Sequence, residues 1–433
     1  MKHLLLRALM LVLLIAIVLP AAVIALQFYG AEDMGRAEPA TNSDRSQQIV
    51  RGAYLARAGD CMACHTVRGG PAYAGGRAIP TSFGTIYSPN ITPDRITGIG
   101  SWTADDFWRA LHHGRSRDGS FLYPAFPFTN YTKVTRSDAD ALFAYLQDLP
   151  AVAQQNQEHA LRFPYNQRLL LAGWRALYFR PESFKPDSAQ SAAWNRGAYL
   201  VQGLGHCSAC HTARNAVGAT VDKADLAGGL IPALNWYAPS LRSNREAGLG
   251  DWEVPHIVDL LKTGVSPRAT AFGPMAEVVG QSLQHLTTED LTAMALYLKS
   301  LTQADAPAED VGRQPPLQEA QRIMALGETL YQDHCASCHR GSGKGFPPNY
   351  PPLDGNRAMT TTSAVNAIRM VLNGGFPPST AGNPHPYGMP PFGQTLNDQE
   401  VAAIVSYIRN SWSNRAGMVS ANDVNRNRAV PAQ

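Results

Sequence analysis

The sequence has no cysteine left over for a structural disulfide, because all six cysteines of the 433-residue chain lie in three short motifs. It is also poor in charge: charged residues make up 16% of the chain, and the formal net charge is +3. The charge composition therefore lacks the strong basic bias of nucleic-acid-binding proteins, and we expect no nucleic-acid partner. Hydrophobic residues make up 45%, which excludes a disordered chain and, at this length, favours about three packed domains.

A long apolar run is present near the N-terminus, at residues 8–26. Lys2, His3 and Arg7 precede it, and a positive segment followed by an apolar one is typical of an export signal. The run is longer than the roughly 7–15 residues of a signal core and approaches the roughly 20 residues that span a bilayer. We predict that residues 1–30 are either a cleaved signal peptide or a retained membrane anchor, with the rest of the chain in the periplasm.

Two cysteines and a histidine recur three times in the pattern C-x-x-C-H. The motifs are Cys61-Met-Ala-Cys64-His65, Cys207-Ser-Ala-Cys210-His211 and Cys335-Ala-Ser-Cys338-His339. Residues three apart lie on one face of a helical turn, so both thiols can reach the vinyl groups of one porphyrin while the histidine turns to its iron. This pattern is the attachment signal of c-type haem. We therefore predict three covalently bound haems c, attached through the six cysteines, with His65, His211 and His339 as iron ligands.

Two other uses of paired cysteines explain the pattern less well. A C-x-x-C unit can be half of a zinc site or a redox disulfide. Zinc ribbons pair such units, and three units leave one without a partner. Neither use requires a histidine directly after the second cysteine in every copy.

The motifs divide the chain into three repeats. Each motif follows a short helical lead-in and precedes, after a segment rich in glycine and proline, a closing helix with the pattern Ala-x-x-x-Tyr-(Leu/Ile). Ser137, Thr287 and Asn397 are the predicted N-caps of the closing helices, each with an acidic residue three positions on. The predicted domains, hereafter the first, second and third repeat, are residues 46–150, 190–303 and 318–413.

Three further segments lie between or after the repeats. Residues 304–317 are a predicted linker, and residues 414–433 are a polar tail. Residues 151–189, hereafter the strap, are longer and contain an apolar stretch at 163–179. We predict either that the strap packs against the first and second repeats or that it is a docking surface for a partner subunit or the membrane.

The residue opposite each histidine tunes the haem, and methionine there favours electron transfer and raises the reduction potential. Met275 and Met389 lie in loops with glycine and proline ahead of their closing helices, and we predict them as sixth ligands. In the first repeat the matching loop, residues 122–128, holds Phe126 instead. No methionine occurs between Met62 and Met275.

Histidines offer alternatives at the first haem. His112, His113 and His159 lie in or near the first repeat, and the first two align with a helix end of the second repeat. One interpretation is that His112 and His113 are exposed at a helix C-terminus, where positive charge is favourable. Another is that one of them ligates the first haem. A third is an open or weakly ligated iron, or a ligand from another subunit.

The whole arrangement resembles the three-haem cytochrome c subunits of membrane-bound bacterial dehydrogenases for alcohols, gluconate, fructose and related sugars or aldehydes. Beyond the motifs, the resemblance rests on residues 83–94, 98–103, 122–127, 162–168 and 411–417. It implies an all-α fold of three tandem cytochrome c domains with loop-rich middles after the N-terminal signal or anchor, with the first and last helices of each domain crossing beside the haem. Phe126 departs from the pattern, since some relatives have methionine there.

The resemblance also implies partners. Such subunits take electrons from a catalytic subunit that uses flavin, pyrroloquinoline quinone or molybdenum, and pass them to ubiquinone or to another carrier such as a soluble cytochrome. No acid–base or nucleophilic constellation is visible, so we predict a non-catalytic, membrane-associated subunit on the periplasmic side of the inner membrane. Alternatives are a cytochrome subunit of a molybdenum hydroxylase, a peroxidase-like enzyme with an open first haem, and a free electron shuttle. Arginines such as Arg77 and Arg109 are candidates to pair with haem propionates.

Overall fold

The computed structural model describes residues 44–221, 223, 225–243, 248–302 and 314–428, with a few isolated positions between 5 and 27. Most of the predicted signal or anchor, most of the predicted linker and the end of the tail therefore lie outside the described residues. No helix in the described part is long and apolar enough to cross a membrane. The described residues form two compact units. One includes residues 44–56 and 64–185, and the other includes residues 57–63 and the described residues between 186 and 428.

The first repeat has a lead-in helix at Arg45–Ala58, a motif helix at Cys61–His65, a middle helix at Ala104–His113, a short helix at Phe128–Tyr131 and a closing helix at Arg136–Asp148. Strands β1 (Ala78–Thr81) and β2 (Gly84–Tyr87) form a hairpin between the motif helix and the middle helix. The strap adds β3 (Ala160–Leu161), a 3-10 turn at Arg168–Leu170 and a helix at Leu171–Tyr178. β3 pairs antiparallel with β2.

The second repeat follows the same order. Its helices are Ala192–Gln202 (lead-in), Ser208–His211 (motif), Val254–Thr263 (middle), Pro274–Gln281 and Thr288–Ser300 (closing), with a 3-10 turn at Leu283–His285. Strands β4 (Gly229–Ile231) and β5 (Trp236–Ala238) form its hairpin.

The third repeat lies in the same compact unit as the second. Its helices are Leu317–His334 (lead-in), Ala336–His339 (motif), Arg357–Thr360, Val365–Asn373 (middle) and Asp398–Asn410 (closing), and a helix at Ala421–Arg428 follows it. The fold is therefore mostly helical, and the two small antiparallel sheets are an addition to the predicted all-α architecture.

Side-chain caps fix where the closing helices begin. Thr287 and Asn397 are N-caps as predicted, and Asn397 forms a complete capping box with Glu400. In the first repeat the prediction of Ser137 is wrong, because the cap is Thr135, whose hydroxyl accepts a hydrogen bond from the N–H of Asp138. Both residues precede an aspartate by three positions, so the sequence offered two possible registers for the start of this helix.

The lead-in and closing helices cross at a glycine in every repeat. A Cβ atom at that glycine would overlap the carbonyl oxygen of the alanine that opens the Ala-x-x-x-Tyr pattern. Only glycine permits so close an approach of two helix backbones. The pairs are Gly52 with Ala141, Gly197 with Ala293, and Gly327 with Ala403.

Candidate haem sites

The cysteines of the three motifs are available for covalent attachment. None of the six forms a disulfide, and each motif forms a helical turn that ends at its histidine. Within a turn, residues three apart face the same side. The helical spacing therefore places both cysteines of a motif on the same side, which is compatible with the predicted attachment of one haem c.

A proline carbonyl orients each motif histidine. The Nδ1–O distances are 2.7 Å for His65 and Pro89, 2.7 Å for His211 and Pro239, and 3.0 Å for His339 and Pro351. A carbonyl oxygen can only accept, so Nδ1–H donates and Nε2 carries the free lone pair. Hydrogen bonds of this kind fix the tautomer and the ring orientation of metal-binding histidines. All three histidines therefore keep the Nε2 lone pair free of this bond, and iron ligation through Nε2 stays a prediction.

Burial also keeps these imidazoles neutral. Desolvation lowers the pKa of His65 and His339, and it lowers the pKa of His211 to about 4. A neutral imidazole is the form that binds a metal ion. In the second repeat, the positive charge of Arg357 lowers the pKa of His211 further.

The three prolines are not marked by any pattern in the sequence. They follow their histidines by 24, 28 and 12 residues, so no fixed spacing marks them. The structure instead shows a shared backbone pattern, in which the N–H two residues after each proline donates to the loop that follows the motif. These bonds are Ile91 to Tyr73 at 2.9 Å, Leu241 to Leu226 at 2.8 Å and Leu353 to Gly343 at 2.7 Å.

Phe126 and Met275 lie at equivalent positions after the middle helix. Phe126 is in a loop, but Met275 is the second residue of the helix Pro274–Gln281, so the prediction that Met275 lies in a loop is wrong. In both repeats the middle helix ends in a left-handed glycine, and that glycine's carbonyl accepts a hydrogen bond from the start of the loop. The fourth residue after the donor is Phe126 in the first repeat and Met275 in the second, and both are partly buried. The donors and acceptors are Leu122 to Gly114 at 2.9 Å and Ala271 to Gly264 at 2.7 Å.

Met389 lies in a fixed loop of the third repeat. Its N–H donates to the carbonyl of Gly375 at 2.8 Å, and its carbonyl accepts from the N–H of Gly375 at 3.0 Å. Its partly buried side chain packs against the hydrophobic core of that repeat. Iron ligation by Met275 and Met389 stays a prediction.

His112 and His113 are buried, with 8% and 5% of their surfaces exposed, so the interpretation that they are exposed is wrong. The ring of His112 stacks on Trp108 with centroids 4.4 Å apart and hydrogen-bonds to the backbone of Thr132. This end of the middle helix also packs against the ring of Phe128. The sequence pattern did not reveal the burial because it depends on contacts with residues farther along the chain.

His159 supports the sheet of the first repeat. Its Nδ1 accepts a hydrogen bond of 3.3 Å from the backbone N–H of Tyr87, at the end of β2. An amide N–H can only donate, so the neutral His159 carries its proton on Nε2. The lone pair on Nδ1 of His159 is therefore used to hold the strand and does not point to a metal ligand.

The comparisons with known proteins agree with this geometry. The cytochrome c family model matches residues 49–150 and 324–412. The cytochrome c subunit of gluconate 2-dehydrogenase from Pantoea cypripedii is 41% identical over 395 residues, which cover 87% of this chain and 88% of that protein. The chain belongs to the family of cytochrome c subunits of bacterial membrane dehydrogenases.

A second relative has a different substrate in its name. The cytochrome c subunit of quinone alcohol dehydrogenase from Gluconobacter oxydans is 40% identical over 403 residues, which cover 89% of this chain and 83% of that protein. This chain, like these relatives, is thus an electron-transfer subunit of a dehydrogenase, and its cofactor is covalently bound haem c.

Proposed function

We propose that this cytochrome c subunit carries three haems c, one in each repeat, and relays electrons from a catalytic dehydrogenase subunit to ubiquinone or another respiratory carrier. The observation that carries the proposal is the threefold bond between a motif histidine and a proline carbonyl. Three histidines that are oriented by the same kind of hydrogen bond are expected of three equivalent metal sites. The proposed domains are residues 46–150, 190–303 and 318–413, with the strap and the linker between them.

Each repeat would use its residues in the same roles. The two cysteines of the motif would hold the porphyrin, and His65, His211 and His339 would each bind iron through Nε2. Met275 and Met389 would take the opposite positions in the second and third repeats. When bound, haem iron changes between Fe(III) and Fe(II) and so carries one electron at a time.

The first site would differ from the other two. Phe126 has no atom that can bind iron, whereas Met275 occupies the equivalent place in the second repeat. Methionine ligation raises the reduction potential of haem. We therefore expect the first haem to have a lower potential than a methionine-ligated one, with its sixth position open or filled by another residue.

The names of the relatives suggest what kind of catalytic subunit is the partner. They are cytochrome subunits of gluconate and alcohol dehydrogenases, so we propose a catalytic subunit that oxidises an alcohol, a sugar acid or an aldehyde. The proposed location is the periplasmic side of the inner membrane, with attachment through the N-terminal segment or the partner.

Purification from native membranes in mild detergent tests this function. The covalent haem content of the isolated chain, measured by mass spectrometry, is expected to be three. A catalytic subunit is expected to co-purify, and its substrate should reduce the haems within the turnover time of the complex. A chain with fewer haems, or one that emerges alone and is reduced by no alcohol, sugar acid or aldehyde, would contradict the proposal.

A further inference from the structure

The strap exposes several large apolar side chains although it packs on the first repeat. Phe163 is 79% exposed and Leu177 is 76% exposed. Four more large side chains of the strap are exposed as well, namely Tyr165, Leu169, Leu170 and Tyr178. A concentration of exposed apolar side chains in one short segment is typical of a surface that contacts a protein or a membrane. These six side chains are hereafter the exposed apolar residues of the strap.

The helix of the strap, Leu171–Tyr178, is apolar on the side that faces away from its repeat. Its buried residues are Ala172 and Arg175. Leu170 and Leu177 are seven positions apart, which is two helical turns, and the helical period places them opposite the buried pair. A surface helix usually carries polar side chains on its outward side. The outward side of this helix is therefore suited to an apolar neighbour.

The same segment is positively charged. Residues 159–181 contain four arginines and no acidic residue. Arg175 is buried, and the other three are exposed: Arg162, Arg168 and Arg180. Arginines combined with exposed leucine and aromatic side chains are typical of segments that lie in the headgroup region of a bilayer. Anionic phospholipids attract the positive charges of such segments.

Gln27 connects the N-terminal apolar run to the strap. It directly follows the run at residues 8–26. The side-chain oxygen of Gln27 accepts a hydrogen bond of 3.3 Å from Nε of Arg175 in the helix of the strap. Its backbone carbonyl accepts another from the guanidinium of Arg115. A membrane that holds the apolar run as an anchor would therefore lie close to the strap, because the run is joined to Gln27 without a spacer.

The place of Gln27 favours a membrane over a partner subunit as the neighbour of the strap. A partner subunit could cover the exposed apolar residues, but it would not explain why the predicted anchor meets the strap at its one buried arginine, Arg175. Stable attachment of a protein to a bilayer usually needs two contacts that act together. The N-terminal run would supply one contact and the strap the other.

We propose that the strap is a membrane-binding surface. Its exposed apolar residues would enter the boundary between headgroups and acyl chains, and Arg162, Arg168 and Arg180 would contact anionic phospholipid headgroups. The inference rests on the proposed location at the inner membrane, and it is independent of the number of haems and of the substrate. Contact through the strap would hold the first repeat at the surface of the bilayer.

Photo-crosslinking of the full-length protein in native membranes tests this proposal. The photoreactive residue p-benzoylphenylalanine in place of Leu177 bonds to whatever lies within reach, and mass spectrometry identifies the adduct. We expect a phospholipid adduct. Ile96 is the control position, because it is 90% exposed in the same compact unit but lies outside the strap, and it should give no lipid adduct.

The other outcomes of the crosslinking overturn the proposal. An adduct of position 177 with the catalytic subunit would show that the strap docks that partner. An adduct with the N-terminal segment or with a second copy of the chain would show that protein covers the strap. No adduct at all, or as much lipid adduct at position 96 as at position 177, would also contradict a specific membrane contact.

Vesicles that carry the purified full-length protein test the role of the charges. The lipid adduct at position 177 should be more abundant when phosphatidylglycerol is mixed into phosphatidylcholine vesicles. Arg180→Gln should lower the yield on the anionic vesicles by up to about fivefold, which is the effect of one arginine near an anionic surface. Arg322→Gln is the control, because Arg322 is exposed on the lead-in helix of the third repeat. Equal yields on both kinds of vesicle, or an equal loss in Arg322→Gln, would overturn the contact with anionic headgroups.

The readouts separate the membrane contact from the proposed function. Fewer than three haems, or no reduction by a substrate, would contradict the function, whereas a lipid adduct at position 177 would still support the contact. Three haems that a substrate reduces, without a lipid adduct, would overturn the contact alone. If the protein with the photoreactive residue at position 177 does not fold, the same residue in place of the exposed Phe163 decides.

Discussion

The first and second repeats share their motif, their proline bond and their helix crossing, but different parts of the chain support them. In each, the tyrosine two residues before the proline donates its backbone N–H to a side chain outside the repeat. Tyr87 donates to His159 of the strap, and Tyr237 donates to Asn366 of the third repeat. Each of these two repeats is thus completed by the segment that follows it. The strap supports the first repeat as the third repeat supports the second.

The strap is built into the first repeat's unit. β3 extends the sheet, and Arg175, only 4% exposed, lies within 5.5 Å of the ring centroids of Phe121, Phe128 and Phe179. Several large apolar side chains of the strap nevertheless face solvent, among them Phe163, Leu169, Leu170 and Leu177. Packing of the strap on the first repeat is therefore observed, and a docking role stays a prediction.

The shared helix crossing gives the largest expected effect. Gly197→Ala should destabilise the second repeat by about 3 kcal/mol, because the added methyl overlaps the carbonyl oxygen of Ala293. Gly52→Ala should cost the first repeat a similar amount. Gly173→Ala is the matched control: this helical glycine has open space around it, so alanine should stabilise by about 0.5–1 kcal/mol. Denaturant unfolding measures all three, and a Gly197→Ala protein as stable as wild type would contradict the crossing.

The next largest effect is expected from exchanging the residues at the predicted sixth positions of the first two haems. Met275→Phe should remove the spectral signature of one methionine-ligated haem and lower its potential, because no sulfur remains to bind iron. Phe126→Met should add that signature in the first repeat and raise the potential there. Absorption and magnetic circular dichroism spectra of the oxidised proteins measure both changes. Unchanged spectra in Met275→Phe would show that Met275 is not a ligand.

Loss of the third repeat's support should have a smaller effect. Asn366→Ala removes both hydrogen bonds to Tyr237 and should destabilise the unit by about 2 kcal/mol, since two backbone groups lose their partners. Asn373→Ala is the control, because it lies on the same helix and its side-chain nitrogen makes no hydrogen bond in the structure. Thermal unfolding compares the two, and an equal loss in both variants would argue against a specific role of Asn366.

Acidification should weaken the bond between Tyr87 and His159 in the first repeat and leave the bond between Tyr237 and Asn366 in the second unchanged. This is the smallest of the four expected effects. Burial and the charge of Arg168 lower the pKa of His159. Below pH about 6.5 the unfolded chain binds a proton that the folded chain resists, so this contribution to stability falls as the pH drops. The expected loss is at most about 1 kcal/mol between pH 7 and 5.5.

His159→Asn tests that pH dependence. Asparagine can accept the same bond from Tyr87, as Asn366 does from Tyr237, but it does not titrate. The variant should keep its stability at neutral pH and lose less of it on acidification than the wild type does. Urea unfolding at both pH values measures the difference. An identical acid-induced loss in both proteins would mean that His159 does not contribute to it.

Features that depend on neighbouring residues could be predicted from the sequence alone. The cysteines and histidine of each motif act within one helical turn, so their spacing alone indicates haem attachment. The caps Thr287 and Asn397 and the equivalence of Phe126 with Met275 also follow from fixed short spacings. Ser137 was wrongly predicted as a cap because both Thr135 and Ser137 precede an aspartate by three positions.

Contacts between groups far apart in the chain depend on the tertiary structure and could not be predicted from the sequence. The proline acceptors lie 24, 28 and 12 residues from their histidines, and the bonds from Tyr87 and Tyr237 span 72 and 129 residues. The burial of His112 and His113 has the same origin. A backbone carbonyl or N–H is present at every such position, so composition does not mark the one that is used. The path of the folded chain selects it, and that path depends on packing throughout each unit.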